Sequence, residues 1–267
     1  MANMLLATPA ISDAATLSTV GSEAADMPGS NVQTMQPSEV WRATDTDNAY
    51  LEIDLGSAQT FNLVSLLHTN ADTDTTWRVR AGDSQAEVQG GSADYDSGTV
   101  AFWPGTVELT NWDTTHSLLY LSSTETERWL RIDVNHTGDA YFDAGRLYIA
   151  NAWQPTRNLL YGYTFPYWKE DVQRQKAHGG PTYPAIRARS LAADFTVRVD
   201  TQAEILGNAF EIGLTQGVSE DVLFVVDPAE SDYPHHGMVY GLMSQSAPIQ
   251  VPNKSAWEVT YSIEGLN

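Results

Sequence analysis

Apolar residues in this chain recur at every second position, in short runs closed by turn residues. That pattern limits the fold more than any other feature. Leu51-Glu-Ile53-Asp-Leu55 alternates and stops at Gly56. Trp77-Arg-Val79-Arg-Ala81 alternates and stops at Gly82-Asp83, and Trp129-Leu-Arg-Ile132-Asp-Val134 runs into Asn135. Phe195-Thr-Val197-Arg-Val199 and Trp257-Glu-Val259-Thr-Tyr261-Ser-Ile263 repeat the theme in the second half. A period of two is the signature of strands with one face buried. Phe61–Leu67, Leu118–Leu121, Ala144–Ile149, Val222–Val226 and Met238–Met243 are denser apolar runs, expected to be more deeply buried strands. The best helix candidate is Thr201–Phe210, with Thr201 as cap and Glu204 at capping-box spacing. The chain is therefore read as all-β, built from two sandwich-like units with one short helix in the second.

Composition removes several function classes. There is no cysteine, so disulfides, cysteine-based zinc sites and thiol nucleophiles are excluded. A net charge of −20, from 34 acids against 14 bases, argues against nucleic acid and anionic membranes as partners. No run is long enough to span a membrane as a helix, and no signal peptide is recognisable. The charge is uneven. Residues 1–150 carry 21 acids and 6 bases, whereas 151–267 carry 13 and 8. With the Pro-containing turn near Asn151–Pro155, this sets three expected regions: a β-sandwich over 1–150, an aromatic and basic connecting segment over 151–180, and a mainly-β domain over 181–267.

The first region carries a further pattern. Pro28-Gly-Ser-Asn-Val32 precedes Val40-Trp41-Arg42, then Ala49-Tyr-Leu-Glu-Ile-Asp-Leu-Gly56. Phe61–Leu67, Trp77–Asp83 and Arg128-Trp-Leu-Arg-Ile-Asp-Val134 follow. This order resembles discoidin-like, galactose-binding-like domains. The resemblance implies a jelly-roll β-sandwich of about eight strands. It also implies a binding module whose end loops take sugars, lipids or proteins. Candidate ligand-binding residues there are Trp41, Arg42, His68, Asn70, Trp103 and Trp112. Aromatic faces stack on sugar rings, while polar and charged groups bond hydroxyls. The competing reading of Trp41 is a core plug of the sandwich. Trp103 and Trp112 are expected to be the more exposed pair. No cofactor is expected, apart from weak calcium candidates at Asp45, Asp47, Asp72 and Asp74, acids at i, i+2 spacing.

The order of segments in the second half is similar to structural proteins of the distal tail or baseplate of tailed bacteriophages. That resemblance implies a virion tail component, made in a host cytoplasm. It would assemble with other tail proteins and with copies of itself, and display the sandwich towards a cell-surface glycan. The aromatic and basic residues Trp153, Tyr163, Phe165, Tyr167, Trp168, Lys169 and Arg174 are its candidate interface, because they match interface composition. The alternatives are a free lectin-like protein and a glycan-degrading enzyme. No nucleophile elbow, P-loop or His-Glu-x-x-His motif is present, so no catalytic residue is assigned. His235 and His236 are adjacent; on a strand they would face opposite ways and not share a metal.

Overall fold

A computed structural model describes residues 2–19, 22–103, 105, 112–176, 179–180, 182–245, 247–253 and 256–266. The fold is all-β, as the periodicity requires. In chain order the strands are β1 (Leu5–Ala7), β2 (Thr16–Thr19), β3 (Trp41–Ala43), β4 (Ala49–Thr69), β5 (Thr76–Gly82), β6 (Tyr95–Asp96), β7 (Val100–Ala101), β8 (Leu119–Asn135) and β9 (Phe142–Ala150). The second half adds β10 (Thr164–Lys176), β11 (Thr182–Val199), β12 (Asp221–Val225), β13 (Met238–Met243), β14 (Ile249–Asn253) and β15 (Ala256–Gly265).

One sheet has the order β3-β9-β4-β8-β5-β6, with β2 beside β4 and β7 beside β5. Its long strands bend. The start of β4 pairs with the end of β8, from Ala49↔Val134 to Asp54↔Trp129. The register then shifts, and Leu63 and Val64 meet Tyr120 and Leu119 near the start of β8. Gly56 takes φ +77 at this bend, a conformation glycine adopts without cost. The sequence expectation of two strands, Leu51–Leu55 and Phe61–Leu67, gives way to one bent strand, because Gly56 turns the chain without ending it. The bent strands fold the sheet around one core, built on Trp41, Phe61, Trp77, Phe102 and Phe142.

The other sheet has the order β1-β12-β13-β15-β11-β10, with β14 beside β15. Leu5–Ala7, grouped by sequence with residues 1–150, pair here with Leu223–Val225. The segment 151–180, expected to be an aromatic and basic connection, contains β10, which pairs with β11 from Thr164↔Asp194 to Lys176↔Thr182. Register shifts between Thr164 and Tyr167 and between Glu170 and Val172 break its alternation, which hid the strand in the sequence. The expected helix forms and continues over 202–215, with its middle turn, Ile205–Phe210, wound as π-helix. Thr201 caps it by accepting a hydrogen bond from the Glu204 N–H at 3.2 Å. Its apolar side, Ile205, Ala209 and Ile212, covers a core with Phe195, Phe224 and Tyr261. None of the described helices is long and apolar enough to cross a membrane.

A third buried cluster joins the sheets. Leu63, Leu67, Tyr148 and Ala150 leave the outer face of β4 and β9 and meet Leu5, Ala7, Leu223, Val225, Met238 and Tyr240. This accounts for the unbroken apolar runs. From Leu63 to Leu67 the two faces divide, Val64 and Leu66 to the sandwich core and Leu63 and Leu67 to the joint, and in β12 Val222 and Phe224 face one core while Leu223 and Val225 face the joint. A strand covered on both faces loses its alternation. Each fully buried side chain of this size contributes about 1.5–3 kcal/mol, so the joint holds the two units in one fixed arrangement.

Candidate functional site

The loops at one end of the sandwich close around a cavity of about 310 Å³. Thr69, Asn70, Ala71, Asp72 and Thr73 form one wall, and Trp112, Asp113 and Thr115 form the other. Its base is a two-residue bridge. The Thr69 N–H donates to the Thr115 carbonyl at 2.9 Å, and the Thr115 N–H returns to the Thr69 carbonyl at 2.8 Å. The Thr115 hydroxyl also donates to the Ala71 carbonyl at 2.9 Å.

Asn70 is held by its amide. Its Nδ2 donates to the Tyr141 carbonyl at 3.0 Å, and its Oδ1 accepts from the Asp143 N–H at 2.8 Å. Asp72 Oδ1 accepts from the Thr75 hydroxyl at 2.7 Å, and the same Thr75 oxygen lies 2.7 Å from His136 Nδ1. Asp72 Oδ2 sits so near Gly138 that a β-carbon there would lie 2.1 Å away, so any side chain at 138 displaces this carboxylate. Trp112 is half-buried, its ring against His235, His236 and Trp168 at centroid distances of 5.5, 5.4 and 5.7 Å. The described lining therefore offers an aromatic surface, two carboxylates, an amide and threonine hydroxyls, and includes no Lys or Arg.

Of the six sequence candidates, Asn70 and Trp112 come together in this cavity. Arg42 is next to it: it forks onto Asp143 with two bonds of 2.7 Å and lies 3.9 Å over the Tyr141 ring. The aspartate pairing holds the Arg42 guanidinium above its ordinary pKa. His68 stands behind the wall, its Nδ1 3.4 Å from the Thr114 hydroxyl, and burial pushes its imidazole down to about 4. Trp41 is buried in the sandwich core against Phe142. Trp103, expected to be exposed, is buried against His235, and its Nε1 has no partner among the described residues.

The calcium candidates serve their own loops. Asp45 accepts from the Asp47 N–H and Asp72 from the Asp74 N–H, both at 3.2 Å, the pattern of aspartates that shape turns. Of the interface candidates, Phe165, Tyr167, Trp168, Lys169 and Arg174 are exposed on β10, and Tyr163 is half-buried. Trp153 is buried in the second core, where it bridges Leu6. Lys169 reaches Glu264 at 2.5 Å.

Two clusters escaped the sequence reading. The first is a polar network in the joint. Arg146, fully buried, pairs with Asp221 at 2.7 Å and Asp13 at 2.5 Å. Tyr240 donates to Asp221 Oδ2 at 2.7 Å, and Tyr148 donates to the Ala7 carbonyl at 3.0 Å. A lone arginine amid Ala144–Ile149 was the available signal. The second is a histidine relay. The His68 N–H donates to His116 Nδ1 at 2.9 Å, and the His116 N–H donates to His235 Nε2 at 2.6 Å. These residues are distant in sequence, and nothing local marks them.

No family model matches the chain, and no curated protein matches it. Solved structures are similar to about half of it. The family 32 carbohydrate-binding module of NanJ from C. perfringens, solved with galactose, is 13% identical over 54% of this chain and 98% of its own, with a TM-score of 0.41. The lectin domain of lectinolysin, solved with Lewis B antigen, is 14% identical over 54% and 96%, with a TM-score of 0.39. A Ruminococcus gnavus GH29 fucosidase, solved with fucose, is 14% identical over 54% of this chain, with a TM-score of 0.41. The chain spans only 27–28% of the length of the GH29 structures it resembles.

Proposed function

We propose that this protein binds a neutral or amino sugar at the end of its sandwich, as a binding module and not as a catalyst. One observation carries the reading: the cavity between Asn70–Thr73 and Trp112–Thr115 sets an indole beside two carboxylates at a volume suited to a single sugar ring. Trp112 supplies the stacking surface, and Asp72 and Asp113 accept hydrogen bonds from hydroxyls or an ammonium. With no base among the described lining residues, sialylated and uronic glycans are repelled. The experiment is a glycan array with galactose-, fucose-, glucosamine- and sialic-acid-terminated members. Binding to the first three classes that disappears in Trp112→Ala is expected. Silence across the array, or binding indifferent to Trp112→Ala, overturns the proposal.

A second reading, a structural component of a phage-like tail tip or baseplate, is favoured by the hairpin of β10 and β11. Phe165, Trp168 and Tyr183 are 48%, 50% and 62% exposed there. Aromatic surface displayed on one hairpin fits a contact with a neighbouring subunit. Light scattering at micromolar concentration tests this: a ring-sized oligomer dispersed by Phe165→Ser with Trp168→Ser supports it, and a monomer refutes it.

A further inference from the structure

The 202–215 helix has two apolar sides. Ile205, Ala209 and Ile212 cover the second core. Leu206, Phe210 and Leu214, four positions apart, form a stripe on the other side, and Val218 follows in the exit turn. These four are 39%, 49%, 68% and 48% exposed. A β-carbon at Gly207 or Gly213 meets nothing within 4 Å, so bare backbone lies on either side of Phe210 and another chain can approach closely. The other large apolar surface is the β10–β11 hairpin, with Phe165, Tyr167, Trp168 and Tyr183. Thirteen large apolar side chains are exposed among the described residues, and eight of them lie on these two elements, so the exposed apolar surface is concentrated and not scattered. The hairpin also projects. β11 joins β15 only from Ala192 onward, so 172–176 paired with 182–186 stands beyond the sheet as an arm.

The two elements carry opposite charge. Residues 164–191 hold five bases and two acids, whereas 200–220 hold four acids and no base. Part of this charge is neutralised within the chain: Lys169 pairs with Glu264, Arg189 with Glu170, and Asp200 with Arg157. Among the described residues, Arg174 and Lys176 on the arm and Glu211 and Glu220 by the helix are exposed and have no ion-pair partner. The other exposed bases, Arg157, Lys169 and Arg189, are the paired ones.

We propose that the outer face of this helix seats the β10–β11 arm of a second copy of the chain. The proposal rests on the second reading above, in which the hairpin meets a neighbour, and it names the surface that the hairpin meets. Charge selects this occupant. Copies carrying −20 repel one another, so a lasting contact brings the basic element against an acidic one. A helix-to-helix contact would instead set Glu211 and Glu220 near their own counterparts. The lengths agree: 172–176 extend about 13 Å as a strand, and Leu206 to Leu214 rise about 12 Å along the helix. Arm and seat are different surfaces of one chain, so the contact runs head to tail and passes from copy to copy, closing into a ring where the rotation permits.

The test is complementation between two full-length variants, followed by light scattering. Arg174→Glu/Tyr183→Ser spoils the arm, and Phe210→Ser/Leu214→Ser spoils the seat, all at exposed positions. Each variant alone should be monomeric. An equimolar mixture should give a one-to-one dimer, because the intact arm of one fits the intact seat of the other and the series stops there. Glu211→Lys lowers the overall repulsion between copies and so tightens any contact except one with a basic partner; here it should weaken assembly about tenfold or more. A seat variant that assembles like the parent, in a protein that Phe165→Ser/Trp168→Ser disperses, overturns the helix as the seat and leaves the second reading standing. A monomeric parent protein overturns both. A mixture that stays monomeric while both variants keep their circular dichroism, or a Glu211→Lys that tightens assembly, also overturns the proposal.

Discussion

Acidification from pH 7.5 to 5.0 should loosen this protein through its buried histidines. His68 is held at about 4 by burial, and His116 and His235 well below 6.5, first by burial and then by the neighbouring His68 and by His116 and His236 respectively. A histidine depressed in the folded state takes its proton only on unfolding. Its contribution is therefore complete above pH 6.5 and is lost as pH falls towards the folded value. For His68, a fall to pH 5.0 spans 1.5 units below the unfolded pKa, and one unit is worth about 1.36 kcal/mol. The loss is about 2 kcal/mol from this residue, a large share of a typical 5–15 kcal/mol. His116 and His235 add in the same direction. Geometry raises the cost further: His116 Nδ1 and His235 Nε2 both accept backbone N–H bonds, and a proton on either sets donor against donor. Carboxylates act elsewhere on the scale. Asp96, held at about 2 by Arg78, and Asp54, lowered by Arg128, lose their contributions only below their unfolded values near pH 4. Urea unfolding at the two pH values measures the difference. The control is His68→Asn with His116→Asn and His235→Gln, whose amide oxygens replace the two accepting nitrogens. Equal stability at pH 7.5 and 5.0, or an unchanged loss in the triple variant, refutes the reasoning.

Three further outcomes are expected. Asp221→Asn or Arg146→Met breaks the buried network of the joint and should cost about 3–5 kcal/mol in urea unfolding, because one partner is left uncompensated. Gly138→Ala drives a methyl onto Asp72 Oδ2 and should abolish binding on the glycan array while far-ultraviolet circular dichroism stays unchanged. Thr201→Ala removes the helix cap and should lower stability by about 1 kcal/mol, whereas Thr201→Ser should change it by a few tenths.

Where one face of a strand meets water, the sequence was readable. Leu51–Leu55, Trp77–Ala81 and Phe195–Val199 alternate because each has a single core to fill. The cap at Thr201 was equally plain, since capping is a local event. The joint was not legible, because two-sided burial erases the period that marks a strand. The same burial turned Trp103, a candidate for exposure, into a wall of the histidine relay. The end-loop cavity was half legible. Asn70 and Trp112 stood among the candidates, but their meeting depends on the Thr69–Thr115 bridge, a pairing across 46 residues.

The pairing of Leu5–Ala7 with Leu223–Val225 has a consequence for biosynthesis. These residues leave the ribosome before the sandwich does, yet their strand partner follows more than two hundred positions later. The sandwich, whose own strands all lie between Thr16 and Ala150, has every partner it needs long before then. It is thus an insertion that matures while its host waits, and β1 stays an unclaimed apolar thread until β12 is made. A fragment started after residue 150 would inherit the converse defect, an open β12 edge of the kind that recruits foreign strands. Expression of the second unit alone should therefore require the Leu5–Ala7 segment to be grafted back or supplied as a peptide.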